Sequence, residues 1–176
     1  DFAPKNNWTP IGAKNARSFG GNFNGAGYTI YGLYCNTGSA HNEGTGLFGR
    51  VFNGTIEHVT VKNACVIGNQ RVGGIAGSTV ASSIATINNC GFVGVIKSGS
   101  QRVGGITGQA QSQDGTATVN INNCWSKGVL TANTACGGIT GYVIGTDGTL
   151  LNVNNCYSAM YITSNTSRAG GLLGHL

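Results

Sequence analysis

The sequence predicts an all-β protein, a right-handed parallel β-helix (β-solenoid) of about five turns built from repeats of about 31–33 residues. Three observations carry that prediction. A glycine phrase recurs as "GTGLFG" (44–49), "VGGIAG" (72–77), "VGGITG" (103–108), "CGGITG" (136–141) and "AGGLLG" (169–174). A second apolar phrase precedes every copy at a nearly constant distance. The composition is that of a corner-rich β protein, with 31 glycines and 2 prolines. Charged residues make up 9% of the chain, against about 25% in an ordinary soluble domain.

The repeat is defined by two independent markers. The glycine before each Ile or Leu is Gly46, Gly74, Gly105, Gly138 or Gly171, at spacings of 28, 31, 33 and 33. The second phrase opens on Ile30, Ile56, Ile87, Ile121 or Val153, which lies 16 to 18 residues before its glycine. Between them run short alternating segments such as "GVIKS" and "ATVNI", with turn signals at Asn53-Gly54, Asp114-Gly115 and Asp147-Gly148. That length suits one coil of three short strands and their corners. Such a coil cannot bury its inward face alone, so stacked neighbours must share one continuous core. Right-handedness follows from the general preference of parallel crossovers. Residues 1–176 are read as one domain, with 1–29 as N-terminal cap or lead-in and 30–176 as the five repeats.

Three residues after each leading Ile or Val stand Leu33, Val59, Cys90, Cys124 and Cys156, which are assigned to one inward core slot. Cys65 counts into the slot of Ile96, Leu130 and Ile162. Cys136 counts with Val72, Val103 and Ala169, and Cys35 matches Val61 and Phe92 less clearly. A thiol that alternates with aliphatic residues behaves as a small buried hydrophobe, so the six cysteines are expected to be reduced and poorly reactive. Side chains stacked in register point the same way, which suits disulfide geometry poorly. No C-x-x-C pair or Cys/His grouping suggests a metal, and His41, His58 and His175 occupy unrelated positions. The asparagines at 88–89, 122–123 and 154–155 fit either hydrogen-bonded ladders or left-handed corners.

"GTGLFG" also matches the G-x-G-x-x-G pattern of dinucleotide sites, but that pattern needs a following helix, and here the slot recurs four more times. The glycines are therefore read as structural corners, with no cofactor. Five acids, Asp1, Glu43, Glu57, Asp114 and Asp147, offer no pair placed for glycoside cleavage. No G-x-S-x-G elbow or H-E-x-x-H helix is present, so no catalytic residue is assigned and the chain is not read as an enzyme. A net charge of +5 without a basic arm argues against nucleic acid, and no apolar run reaches the ~20 residues of a membrane span. Binding candidates remain. Arg71, Arg102 and Arg168 share one repeat position, suited to anionic glycan or acidic protein or, in the plainer reading, to solvation. Trp125 and Tyr157 are placed either to stack on sugars or to cover the flank of the solenoid.

The recurring "I-x-N-C … V-G-G-I-x-G" resembles the GLUG motif of bacterial surface proteins, and "NWTPIG…FGGNFNGAGYTIYGL" (7–33) resembles the segment that leads into such repeats. The resemblance implies an exported β-helical module of adhesin-like proteins, also found beside IgA-protease-type metallopeptidases, with no catalytic residue attached to the motif. The expectation is an extracellular or cell-surface module, a rigid stalk or adhesin segment that presents a binding surface to host glycan or protein. The alternative is a substrate-docking module of a larger secreted enzyme, with the chemistry outside this chain. Because "RAGGLLGHL" closes the sequence without covering residues, the chain is expected to be a fragment of a longer exported protein or to associate end to end through its last turn.

Overall fold

In a computed structural model, which describes residues 6–38, 43–145 and 150–176, β-branched runs separated by tight corners wind into parallel three-sided coils. Short strands β1 (Asn22–Asn24), β2 (Thr29–Tyr31) and β3 (Tyr34–Asn36) come first. Each later coil repeats a short strand, a second short strand and a long one. The first comprises β4 (Phe48–Phe52), β5 (Thr55–Glu57) and β6 (Thr60–Gly73). The second comprises β7 (Ala76–Ala81), β8 (Ile84–Asn88) and β9 (Gly91–Gly104). The third comprises β10 (Thr107–Ser112), β11 (Thr118–Asn122) and β12 (Trp125–Gly137), and the fourth β13 (Thr140–Ile144), β14 (Leu150–Asn154) and β15 (Tyr157–Gly170). Stacking yields three parallel sheets, β4-β7-β10-β13, β1-β5-β8-β11-β14 and β2-β6-β9-β12-β15, with β3 also on β6. No helix among the described residues is long and apolar enough to cross a membrane.

The described residues thus make four complete coils rather than about five. The leading segment contributes β1–β3 and the isolated bridges Ile11–Phe48 and Phe19–Val51, which dress the first coil without closing another. Its apparent register also shifts. Phe23, not Ile30, pairs with Ile56, while Ile30 pairs with Val61. The cause is extra chain at the corner, since four residues separate β1 from β2 where only His58 and Val59 separate β5 from β6.

The interior consists of columns, one side chain per coil. Ile56, Ile87 and Ile121 form one, and Val66, Ile96 and Leu130 another, all fully buried. Each such side chain contributes about 1.5–3 kcal/mol of apolar burial. Val59, Cys90 and Cys124 are buried in a third column, which ends on half-buried Cys156. Leu33 is buried as well, but it lies opposite Ala64, because Tyr34 pairs with Cys65.

Two cysteines lie in columns other than those the sequence count assigns. Cys35 pairs with Val66 and so occupies the column of Ile96, Leu130 and Ile162. Cys65 pairs with Val95, next to Val129 and Tyr161, both exposed. An extra residue between Val61 and Ala64, with Asn63 at φ 52°, moves the strand by one and turns Cys65 to the outer face. Cys136 aligns with Val72, Val103 and Ala169 as counted.

Corners are left-handed. His58, Asn89, Asn123 and Asn155 take φ of 50–55° where the second sheet gives way to the third. Asn side chains also form ladders, from Asn154 to Asn122 (3.1 Å), Asn155 to Asn123 (3.3 Å) and Asn152 to Asn120 (2.9 Å). Both readings of the asparagines therefore apply, with the first of each pair in a strand and the second at the corner. The corner glycines are set by close approach. A Cβ on Gly105 would strike the carbonyl of Gly138, and one on Gly138 the carbonyl of Gly171 and the Ser158 hydroxyl. Gly46 and Gly74 are similarly blocked, whereas Gly171 faces nothing within 4 Å.

Candidate functional site

The outer face of the first sheet carries one row drawn from four coils: Arg50, Ser78, Gln109 and Tyr142. Strands in a sheet lie about 4.8 Å apart, so a small serine between an arginine and a glutamine leaves a hollow. That hollow is a cleft of about 130 Å³ lined by Glu43, Arg50, Arg71, Ser78, Gln109, Gln111 and Gln113. Every lining side chain among the described residues is polar.

Arg71 and Arg102 enter this face from the corner before it, each in the left-handed region at φ 54° and 65°. Arg71 reaches past Ser78, and its Nε donates to Gln109 Oε1 at 2.9 Å. Arg102 approaches the same oxygen from the other side, donating through Nη1 at 2.8 Å. Its guanidinium lies over the Tyr142 ring, 5.0 Å from the centroid. Gln109 is only 1% exposed and passes the chain on, since its Nε2 donates to Gln111 Oε1 at 2.7 Å. Arg50 closes the far wall, with Nη1 donating to Ser18 Oγ at 2.8 Å and its guanidinium over Phe52.

Three guanidiniums thus share one neighbourhood with one carboxylate. Burial, followed by the charges of Arg102 and Arg50, pulls the Arg71 pKa below its ordinary value, and Glu43 opposes that fall. Burial likewise lowers Arg50, again against the pull of Glu43. Arginine remains protonated at neutral pH despite such shifts, so the cleft is a positive, partly desolvated pocket. The Nε of Arg102 is buried without a hydrogen-bond partner among the described residues, which marks the cluster as under-compensated.

Of the three arginines selected from the sequence, the structure brings Arg71 and Arg102 together and leaves Arg168 exposed on the last coil. Arg50 and Gln109 were not selected, although a signal was present. They stand four residues after corner glycines Gly46 and Gly105, the position that holds Ser78 and Tyr142 in the other coils.

The aromatic pair lies on the third sheet. Trp125 and Tyr157 stack nearly parallel, with centroids 6.2 Å apart and planes 8° off. The other face of the indole covers Gly91, where a Cβ would meet the ring. The indole thus lies against both Gly91 and the Tyr157 ring. Tyr157 is 59% exposed.

All six cysteines are free thiols, and Cys65 and Cys156 are only half-buried. Within the column, hydrogen bonding to Cys156 and Cys90, reinforced by burial, pushes Cys124 up, and hydrogen bonding to Cys124 brings Cys156 down to about 7. Among the other described acids, Glu57 is 3.8 Å from His58, and Asp114 accepts from Thr116 within a turn. His175 packs edge-on against Tyr142. Asp1, His41 and the Asp147-Gly148 turn lie outside the described residues. Among the described residues no group of three or more His, Cys, Asp or Glu is arranged to hold a metal ion.

Comparison of the chain with protein-family models, with curated proteins and with solved structures gives no match.

Proposed function

We propose that this chain is a non-catalytic extracellular module, a rigid solenoid that presents a binding surface to host glycan or protein. The observation that carries the reading is the cleft between β4, β7 and β10, where Arg50 and Arg71 line a polar hollow and Arg102 braces it through Gln109. Elsewhere the repeated positions have structural duties: glycines admit the neighbouring coil, Cys90 and Cys124 fill the core, and asparagines form corners and ladders. The likeness of the repeats to GLUG motifs supports the location outside the cell.

The test is a glycan and matrix-protein array probed with purified protein, beside a variant carrying Arg50→Gln and Arg71→Gln. Saturable, salt-sensitive binding to anionic members, lost in the variant, is expected. Absence of saturable binding to any member by a folded sample would contradict the proposal.

A further inference from the structure

Resting on the binding-module reading, the geometry points to one ligand class for the cleft: we infer that it takes the carboxylate of an acidic sugar residue, such as a uronate or a sialate. Three features lead there. First, Glu43 lines the hollow and acts on the charges of both Arg50 and Arg71, so the site already accommodates a carboxylate of the protein's own. A planar guanidinium pairs with a planar carboxylate through two parallel hydrogen bonds. Second, the rest of the lining consists of the Ser78 hydroxyl and the Gln109, Gln111 and Gln113 amides, groups that both donate and accept, as sugar hydroxyls require. An acidic peptide would bring apolar side chains and would look for apolar hollows, and the described lining of this cleft offers none. Third, about 130 Å³ admits the charged end of a ligand and not a whole chain, which suits a terminal or side-facing sugar carboxylate.

In this arrangement Arg50 and Arg71 meet the carboxylate, and Gln111, Gln113 and Ser78 meet ring hydroxyls. Gln109, held on its Oε1 by Arg71 and Arg102, is a positioning residue that keeps Arg71 in place. Glu43, a carboxylate in the lining whose charge acts on both arginines, repels an incoming carboxylate. The interaction is therefore expected to be weak for a single sugar and to strengthen when Glu43 is neutralised.

Isothermal titration of the whole chain with glucuronate, N-acetylneuraminate, glucose, inorganic sulfate and a short poly-glutamate peptide tests the assignment. The expected result is binding of at least one acidic sugar, no response to glucose, and an affinity gain of about tenfold in Glu43→Gln. Arg71→Gln should lose about tenfold or more while melting at the parent temperature. A Gln109→Glu variant, which places a second internal carboxylate against the two arginines, should bind less well than the parent and stay folded. If glucose binds as well as glucuronate, or if a folded Glu43→Gln protein binds neither acidic sugar, the assignment is wrong. Sulfate binding without any acidic-sugar binding, or peptide binding without it, would also overturn the sugar class while leaving the surface-module reading standing. Array binding that persists in the Arg50→Gln, Arg71→Gln protein would remove this cleft from that module without removing the module.

Discussion

Arg71 and Arg168 occupy the same point of two coils, with φ of 54° and 62°, yet only Arg71 belongs to a cleft. Its guanidinium is flanked by Ser78 and Gln109 of the coils stacked beyond it, whereas Arg168 sits exposed on the last coil. The core shows the same contrast. Cys124 is fully buried between Cys90 and Cys156, while Cys156, in the identical slot, is half-buried. Gly138 is blocked by the coil beyond it and Gly171 is not. A repeat position therefore sets backbone geometry, but a side chain's environment depends on its neighbouring coils, as expected for a quasi-one-dimensional array.

The largest effect expected from this contrast comes from a buried charge. Cys124→Asp should cost about 3–5 kcal/mol, because the carboxylate has no cationic partner in the column. Cys156→Asp should cost much less, since its carboxylate reaches solvent. Urea unfolding of both variants checks the pair, and equal losses would mean that the column does not run through the core. Gly138→Ala should follow, at about 1–3 kcal/mol, as its methyl presses on backbone of the next coil, whereas Gly171→Ala should stay within about 0.5 kcal/mol of the parent. Thermal melts of the two variants would separate them.

Cysteine chemistry sharpens the contrast further. With its pKa near 7, Cys156 is mostly thiol below that pH and thiolate above it. Its alkylation rate should climb about tenfold per pH unit below 7 and level off above. Cys124, whose pKa moves the other way, should stay unlabelled at every pH in the folded protein. Peptide-level mass spectrometry after iodoacetamide pulses reads both sites. The smallest expected effect is Cys124→Val, under about 1.5 kcal/mol, because Val59 already fills the slot and the volumes are close.

Much of this architecture was legible in the sequence because the corner glycines and the Ile–Cys phrases are spaced by the coil itself. In the second sheet, from Ile56 through Ile87 and Ile121 to Val153, the sequence register and the strand register agree. They part in the leading segment, where extra corner residues displace Ile30 and Leu33, and at Asn63, where one inserted residue moves Cys65 out of the column of Ile96. An insertion of one residue leaves hydrophobic periodicity almost unchanged while reversing the face of the residues that follow. Here a second shift between Gly68 and Gln70 restores the count at Val72. The cleft was half legible. Arg71 and Arg102 stand out because the corner repeats them, but Arg50, Ser78 and Gln109 differ in type, so only counting from the corner glycines aligns them.

The central claim is that the cleft, and not arginine charge in general, forms the binding surface. The most direct measurement compares the parent, Arg71→Gln and Arg168→Gln on immobilised hyaluronan, a uronate-bearing polymer, by biolayer interferometry at low ionic strength. Each variant removes one positive charge from the same repeat position. The account predicts about a tenfold loss of affinity for Arg71→Gln and less than about twofold for Arg168→Gln. Equal losses in the two variants would contradict it, because binding would then follow net charge rather than the cleft.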